Sequence, residues 1–158
     1  MPAAQGCALV VYTDLRKGRY SAPGQEYLVT AVTMDRIRVF DDFDCARLLV
    51  SVLRHAEADG MADWLAWVIM PDHVHALLRL GSGTRLAALL HSVKGSSARL
   101  INRRLGRVGT LWQPNFHDRA LRAEDDRMAV ARYIVANPLR SGLVDRIGDY
   151  PHWDCAWL

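Results

Sequence analysis

Apolar and polar residues alternate in the middle of the chain, and this alternation predicts two adjoining strands. From residue 67 the sequence reads Trp-Val-Ile-Met-Pro-Asp-His-Val-His-Ala-Leu-Leu-Arg-Leu, with Pro71 between the two halves. Successive side chains of a strand point to opposite faces. In the second half, His73 and His75 therefore stand side by side on one face. The other face is apolar and consists of Val74, Ala76, Leu78 and Leu80.

Hydrophobic periodicity also predicts the elements around these two strands. Runs rich in β-branched and aromatic residues indicate strands, and apolar residues three and four positions apart indicate helices. The resulting strands cover residues 26–33, 64–70, 74–80 and 111–121, and the last of these ranges includes the segment that leads into the strand. The resulting helices cover residues 43–58 and residues from 86 to at least 101. This β-α-β-β-α-β order predicts an α+β, ferredoxin-like split βαβ fold with an antiparallel sheet.

A third, C-terminal helix should follow the sheet. Glu124 and Asp125 suit the positive end of a helix. Pro138 disfavours helical geometry at the residue before it, so the helix should stop near Ala136. The tail that follows shows no clear period.

Tyr133 lies on this predicted helix and shares a face with Asn137, four residues further on. Ala131 and Val135 lie roughly on the opposite side, so the tyrosine need not be a core residue. Most helical tyrosines serve packing. A tyrosine hydroxyl becomes a useful nucleophile when a metal or base is close and the electrophile is held in line.

Length and composition fit one domain of 158 residues that buries about two-thirds of its unfolded surface. We expect a core over 26–137 between an N-terminal arm (1–25) and a C-terminal tail (138–158). No apolar run is long enough to span a bilayer, and the first residues lack the pattern of a signal peptide. The cysteines are odd in number and far apart, which favours a reduced, cytoplasmic protein over a disulfide scaffold.

Positive charge is concentrated in one part of the chain. Residues 79 to 122 contain nine lysines and arginines and one aspartate, so this segment carries +8 while the whole chain carries +3. Such a block is typical of proteins that bind a phosphate-rich partner. A solvated, arginine-rich helix is the alternative. Arg99, Arg103 and Arg107 are spaced four apart and should line up along one helical face.

The two histidines add candidate chemistry to this charge pattern. Imidazoles at positions i and i+2 of a strand can reach one divalent ion, and neutral imidazole is the commonest protein metal ligand. The alternative is a pair of hydrogen-bonded histidines on a half-buried strand. Together with the basic block and the helical tyrosine, the pair suggests phosphoryl transfer on a polynucleotide.

Several motifs resemble one known family. His73-Val74-His75, after Met-Pro-Asp, resembles the HUH motif (histidine, hydrophobic residue, histidine) of single-tyrosine transposases. Further resemblance lies at 16–19, 27–30, 111–113, 116–119, 132–134 and 137–143, and so extends over most of the chain. Within that family the sequence is similar to the REP-associated tyrosine transposases, domesticated relatives of bacterial insertion-sequence transposases. The resemblance implies a bacterial, cytoplasmic protein.

The resemblance also implies roles for individual residues. His73 and His75 would hold Mg²⁺ or Mn²⁺, which polarises the scissile phosphate as a Lewis acid. Tyr133 would attack the phosphorus and leave a 5′-phosphotyrosyl enzyme and a free 3′-hydroxyl. Asn137 matches the position where relatives place a third metal ligand, and His117 is the alternative. No organic cofactor is expected.

The implied partner is single-stranded or hairpin DNA, because relatives recognise imperfect palindromic hairpins next to a short cleavage site. No membrane contact is expected, and a homodimer is possible because some relatives complete the site in trans. The basic side chains expected to contact nucleic acid are Arg16, Lys17 and Arg19 of the arm, and Lys94, Arg99, Arg103, Arg104, Arg107 and Arg119.

Two alternatives to a DNA strand transferase stay open at this point. One is a regulator that binds hairpin DNA or RNA and has kept the fold but lost cleavage. The other is a metallohydrolase of small phosphoesters, although the carboxylates usual in two-metal sites are missing near His73 and His75 in the sequence. The presence of both histidines together with Tyr133 favours the transferase, because packing alone does not require all three.

Overall fold

The central sheet has five antiparallel strands in the order β4-β1-β3-β2-β5. The computed structural model describes residues 22–158, so the predicted contacts Arg16, Lys17 and Arg19 lie outside the described residues. The strands are β1 (Glu26–Val32), β2 (Ala62–Met70), β3 (His73–Leu80), β4 (His117–Ala120) and β5 (Trp153–Cys155). The helices are α1 (Phe43–Ala58), α2 (Leu86–Leu105), α3 (Arg127–Val135) and α4 (Asn137–Arg140). Short 3₁₀ turns occur at Met34–Arg36, Val39–Asp41 and Ile147–Asp149.

Helices cover both faces of this sheet. α1 and α2 pack on one face, against the apolar side chains of β3 that the alternation predicted. α3 packs on the opposite face, where its buried residues Ala131, Ile134 and Val135 join a second apolar cluster with Leu77. β3 is therefore central and buried from both sides, and the predicted α+β, ferredoxin-like fold is confirmed. Within residues 22–158, none of the helices has the length and apolar character needed to cross a membrane.

Local sequence signals set the ends of the first two helices. α1 has the predicted bounds, and the Asp42 side chain caps it by accepting a hydrogen bond from the Cys45 backbone N–H at 3.0 Å. α2 ends at Leu105 and is followed by Gly106, whose φ of 61° suits a residue without a Cβ. Arg107 therefore lies beyond the helix, and the predicted alignment of arginines along one helical face ends at Arg103.

The fourth strand is shorter than the sequence predicted. β4 has four residues, and the segment 111–116 before it is irregular. Trp112 anchors this segment through a β-bridge with Thr33 and an Nε1–H bond to Ser97 Oγ at 3.0 Å. Pro114 cannot donate to a strand ladder, which explains why the strand begins only after it. The predicted strand is thus wrong in its first half.

α3 also begins later than predicted. Asp126, rather than the two preceding acidic residues, caps it by accepting a hydrogen bond from the Ala129 N–H at 3.0 Å. Asp125 instead accepts a hydrogen bond from the Arg122 backbone N–H at 2.7 Å and so shapes the turn before the helix. The helix ends at Val135, close to the predicted position.

The tail adds a strand to the sheet, although its sequence showed no period. β5 pairs with β2, where Trp153 lies opposite Val68. The Tyr150 hydroxyl donates to the carbonyl oxygen of Ile69 at 2.6 Å, and burial raises the pKa of Tyr150 to about 12. A strand of three residues is too short for an alternation to be recognised in the sequence.

An ion cluster fastens the first turn of α3 to the sheet. Glu26 of β1 is 6% exposed. It accepts hydrogen bonds from Arg79 Nη2 at 3.1 Å and from Arg127 Nε. Because Arg127 is the first residue of α3, one carboxylate joins β1, β3 and the helix. A buried charge of this kind is tolerated only while it is paired.

Replacing this carboxylate should weaken the fold. Glu26→Gln is expected to lower the free energy of unfolding by about 2 kcal/mol, because the negative charge is lost and only one of the two accepting oxygens remains. Urea unfolding measures the change. Asp63→Asn is the matched control: Asp63 reaches the same Arg79 at 3.8 Å from a largely exposed position. It should change stability by less than about 0.5 kcal/mol. Equal losses in the two variants would contradict the role given to Glu26.

Candidate functional site

His73 and His75 stand on the face of β3 that α3 covers. His73 pairs with Met70 of β2, and His75 pairs with Val68. Side chains directly opposite each other on neighbouring strands point to the same face. Val68 and Met70 belong to the apolar cluster under α3, so the two imidazoles share the face on which the tyrosine-bearing helix lies.

The two imidazoles converge through their Nε2 atoms. These atoms lie 3.1 Å apart, and the two rings are nearly perpendicular, at 83°. Nitrogen ligands in adjacent positions around a divalent ion, each about 2.1 Å from it, lie about 3 Å from one another. The pair therefore fits two ligands of one ion. Within residues 22–158, no group of three His, Cys, Asp or Glu side chains could hold the same ion.

Each imidazole also has a partner at Nδ1. The Nδ1–H of His73 donates to the Asp72 carboxylate at 2.5 Å, and Nδ1 of His75 lies 2.7 Å from Thr30 Oγ. A threonine hydroxyl can donate or accept. When Thr30 accepts, both rings carry their proton on Nδ1 and both Nε2 lone pairs are free. That is the tautomer that metal ligation requires.

Asp72, to which the sequence analysis gave no chemistry, is held in place by a strained loop. Asp35 and Arg36 both have left-handed backbone conformations, with φ of 53° and 51°, at about 1–2 kcal/mol each for residues with a Cβ. This conformation brings Arg36 Nη1 to 3.1 Å from Asp72 Oδ2. Although burial by itself would raise the pKa of Asp72, hydrogen bonds from His73 and Arg36 hold that pKa below its ordinary value. The carboxylate that orients His73 is therefore charged.

Electrostatics keep His75 neutral. Burial is the main cause that lowers the pKa of His75 to about 4, and repulsion from the His73 ring, when that ring is protonated, and from the Arg140 guanidinium adds to it. The neutral imidazole is the form that binds a metal, because protonation would occupy its lone pair. His75 is thus ready to act as a ligand across the physiological pH range without first losing a proton.

Tyr133 lies on the outer side of α3. The residue is 62% exposed, whereas its helical neighbours Ala131 and Val135 are buried. The prediction that this tyrosine is not a core residue is confirmed. The guanidinium carbon of Arg140 lies 3.8 Å from the centroid of the tyrosine ring, a contact that the sequence analysis did not foresee.

The two candidates for a third ligand differ in position. Asn137 begins α4, and its amide nitrogen donates to the Ile134 carbonyl oxygen at 3.0 Å, which caps the end of α3. A metal would need the amide oxygen instead, and this role stays a prediction. His117 pairs with Thr30 on the side away from His75. Two strand spacings, about 10 Å, therefore separate the backbones of His117 and His75.

Most of the predicted nucleic-acid contacts lie on the other side of the sheet. α2 packs with α1 on the face opposite the histidine pair, and it or its end carries Arg99, Arg103, Arg104 and Arg107. Sequence spacing placed them on a helix but could not say on which layer. Their role stays a prediction, now with a defined location.

Three of the predicted contacts also have protein partners. The Lys94 ammonium donates to the carbonyl oxygens of Gln113 and Asn115, at 2.5 and 3.2 Å, and so supports the irregular segment before β4. Arg104 binds Asp44 at 2.5 Å. Arg119 binds Asp125 at 2.9 Å. Any contact of these side chains with DNA would compete with these interactions.

Comparison with known proteins places this arrangement in a family. The family described as "Transposase IS200 like" matches residues 22–137, which include both histidines, Tyr133 and Asn137. The chain belongs to this transposase family. The resemblance predicted from the HUH motif and the tyrosine segment is thereby confirmed.

Individual relatives in this transposase family agree with the assignment. The REP-associated tyrosine transposase of Escherichia coli (strain K12) is 28% identical over 105 residues, which cover 63% of this chain and 61% of that protein. A relative from Haemophilus influenzae is also 28% identical, over 98 residues that cover 56% of each chain. The chain thus spans about three-fifths of the length of the curated relatives that it matches.

A solved structure supports the fold. The REP-associated tyrosine transposase bound to a REP hairpin superposes with a TM-score of 0.67 and 24% identity, over 85% of this chain and 79% of that one. At this identity the likeness shows that the two chains share a fold.

The low pKa of His75 predicts how stability depends on pH. Between about pH 6.5 and about pH 4, the unfolded chain binds a proton at His75 that the folded chain does not. Stability should therefore fall as the pH drops through this window. In His75→Gln, the fall in the free energy of unfolding over this pH range should be smaller by about 2–3 kcal/mol. Urea unfolding without divalent ions measures it.

The matched control for this prediction is His55→Gln, since His55 is an exposed histidine of α1. It should leave the pH dependence of stability close to that of the wild type. The same pH dependence in wild type and His75→Gln would show that His75 is not held neutral by the fold.

Proposed function

We propose that this protein is a metal-dependent endonuclease and strand transferase of single-stranded DNA, which acts at hairpin DNA through a 5′-phosphotyrosine intermediate. The observation that carries the proposal is the pair of facing Nε2 atoms of His73 and His75, on the sheet face covered by the helix of Tyr133. Membership of the transposase family supports it. So does the relative of the same fold that was solved with a REP hairpin.

His73 and His75 would hold Mg²⁺ or Mn²⁺. When bound, the ion would supply Lewis acidity to the scissile phosphate and help to orient it. Two imidazoles without a thiolate suit zinc or manganese better than magnesium, whereas a site completed by substrate oxygens also accepts magnesium. Asn137 is the proposed protein ligand beyond the pair.

In the proposed reaction, Tyr133 exchanges one phosphodiester for another. Its phenolic oxygen forms a bond to the phosphorus, and the bond from the phosphorus to the 3′ oxygen breaks. The net proton transfer is from the phenol to the departing 3′ oxygen, which becomes a hydroxyl. Because the phosphate remains a diester, the reverse attack by a 3′-hydroxyl can rejoin strands without ATP.

The basic side chains of α2 would bind DNA away from the reaction centre. Contacts from Arg99 and Arg103 to phosphates would make affinity strongly dependent on salt, and such contacts carry no sequence information. A DNA molecule that also reaches Tyr133 has to pass around an edge of the sheet. A single strand next to a hairpin is flexible enough to do this.

Covalent capture of DNA tests the nucleophile. The probe is a labelled pool of single-stranded oligonucleotides, each with a hairpin stem and randomised flanks, incubated with Mn²⁺. Wild type should form an adduct that survives denaturation, and Tyr133→Phe should form none, because it lacks the attacking oxygen. Tyr150→Phe is the matched control; it removes a hydrogen bond worth about 1 kcal/mol but should still form the adduct.

Two outcomes of this assay would count against the proposal. An adduct in Tyr133→Phe would place the nucleophile elsewhere. Binding of the pool by wild type without any adduct would favour the alternative function, a regulator that binds hairpin DNA or RNA without cleaving it.

Thermal unfolding tests the metal site independently of activity. Mn²⁺ should raise the Tm of wild type, since a ligand that binds only the folded state stabilises it. His73→Gln should abolish most of this shift, and Asp72→Asn should weaken Mn²⁺ binding by about 10- to 100-fold, because the outer partner of a metal-binding histidine tunes its affinity. His91→Gln, at an exposed histidine of α2, should keep the shift. An unchanged shift in His73→Gln would rule out this site.

A further inference from the structure

The junction between α3 and α4 folds one arginine back onto Tyr133. α3 ends at Val135 and α4 begins at Asn137, so a single residue, Ala136, separates the two helices. The Arg140 backbone N–H donates to the Ala136 carbonyl oxygen at 3.1 Å, which sets the direction of α4. Arg140 thus follows Tyr133 by seven residues, across a turn that fixes its approach.

The guanidinium group of Arg140 contacts both the backbone and the ring of Tyr133. Its Nη1 donates to the Tyr133 carbonyl oxygen at 2.7 Å, and its central carbon lies 3.8 Å from the centroid of the ring. The first contact satisfies a carbonyl in the last turn of α3, which has no partner within the helix. The second is a cation–π contact. Arg140 therefore restrains the backbone and the ring of Tyr133 together.

Such a restraint matters because most of the surface of Tyr133 is exposed. An exposed tyrosine can occupy more than one χ1 rotamer, and in-line attack on a phosphate requires a narrow range of positions. The buried residues of α3 hold the helix on the sheet. Within residues 22–158, the cation–π contact of Arg140 is a restraint on the ring itself.

We propose that Arg140 is a positioning residue, which holds the ring of Tyr133 in the orientation for attack on the phosphate. The proposal rests on the proposed function of Tyr133 as the nucleophile. The restraint on the ring can be tested apart from that function, because it exists before any DNA is bound. Arginine is required over lysine, since only a planar guanidinium can lie flat on the ring while donating to the carbonyl.

The first experiment measures the ring itself. The full chain is labelled with ¹³C in its tyrosine rings, the Tyr133 signal is identified by its loss in Tyr133→Phe, and NMR relaxation reports ring mobility. Arg140→Leu should make the ring of Tyr133 mobile, and Arg140→Lys should give an intermediate result. An unchanged Tyr150 signal shows that the fold is intact, because that hydroxyl is bonded to the sheet.

The second experiment measures the reaction with the hairpin oligonucleotide pool and Mn²⁺. Arg140→Leu should slow adduct formation at saturating DNA by about 100-fold, the usual consequence of misplacing a reacting group by about 1 Å. The Kd for the same pool should stay nearly unchanged, and Arg140→Lys should recover part of the rate. The control is Arg146→Leu, which removes an exposed arginine of the tail that pairs with Asp149; it should change neither quantity.

The outcomes separate this proposal from the proposed function. An immobile ring and an unchanged rate in Arg140→Leu would overturn the positioning role. So would a raised Kd with an unchanged rate at saturation, since Arg140 would then be a DNA contact. If wild type forms no adduct, the proposed function fails, and ring mobility still decides whether Arg140 holds Tyr133.

Discussion

The site depends on holding two half-buried imidazoles side by side on the central strand. A polar ring that is largely shielded from water needs partners for its nitrogen atoms. The outer nitrogens meet Asp72, from the turn before β3, and Thr30, from the neighbouring strand. The inner nitrogens of His73 and His75 face each other at 3.1 Å. Under the proposed function, a divalent ion between them would bind both at once.

This arrangement requires backbone strain nearby. Two consecutive left-handed residues are unfavourable, and the surrounding structure must impose them. Here the Thr33 N–H donates to the Asp72 carbonyl oxygen at 2.9 Å, which joins the strained loop to the turn before β3. The strain serves to bring Arg36 to the carboxylate of Asp72. A chain of contacts thus runs from a surface arginine to the Nε2 atom of His73.

Local patterns in the sequence were sufficient for part of this structure. The alternation around His73 and His75 predicted their shared face, and the helical period predicted α1 and the exposure of Tyr133. Features that depend on distant partners were missed. β5 exists because β2 has an open edge, and Arg140 meets the tyrosine only through the turn after α3. Likewise, no local pattern could show that the arginines of α2 lie on the sheet face opposite the histidine pair.

The connection that carries α3 has a mechanical consequence. β4 and β5 form the two outer edges of the sheet, so the chain between them crosses the whole face above β3. Each end of this crossing is hydrogen-bonded to a neighbouring strand, β1 or β2. Lifting α3 away from the sheet would break the apolar packing of Ala131, Ile134 and Val135 and the ion pair between Arg127 and Glu26. Under the proposed chemistry, a DNA end joined to Tyr133 would therefore stay on the sheet face that carries the histidine pair.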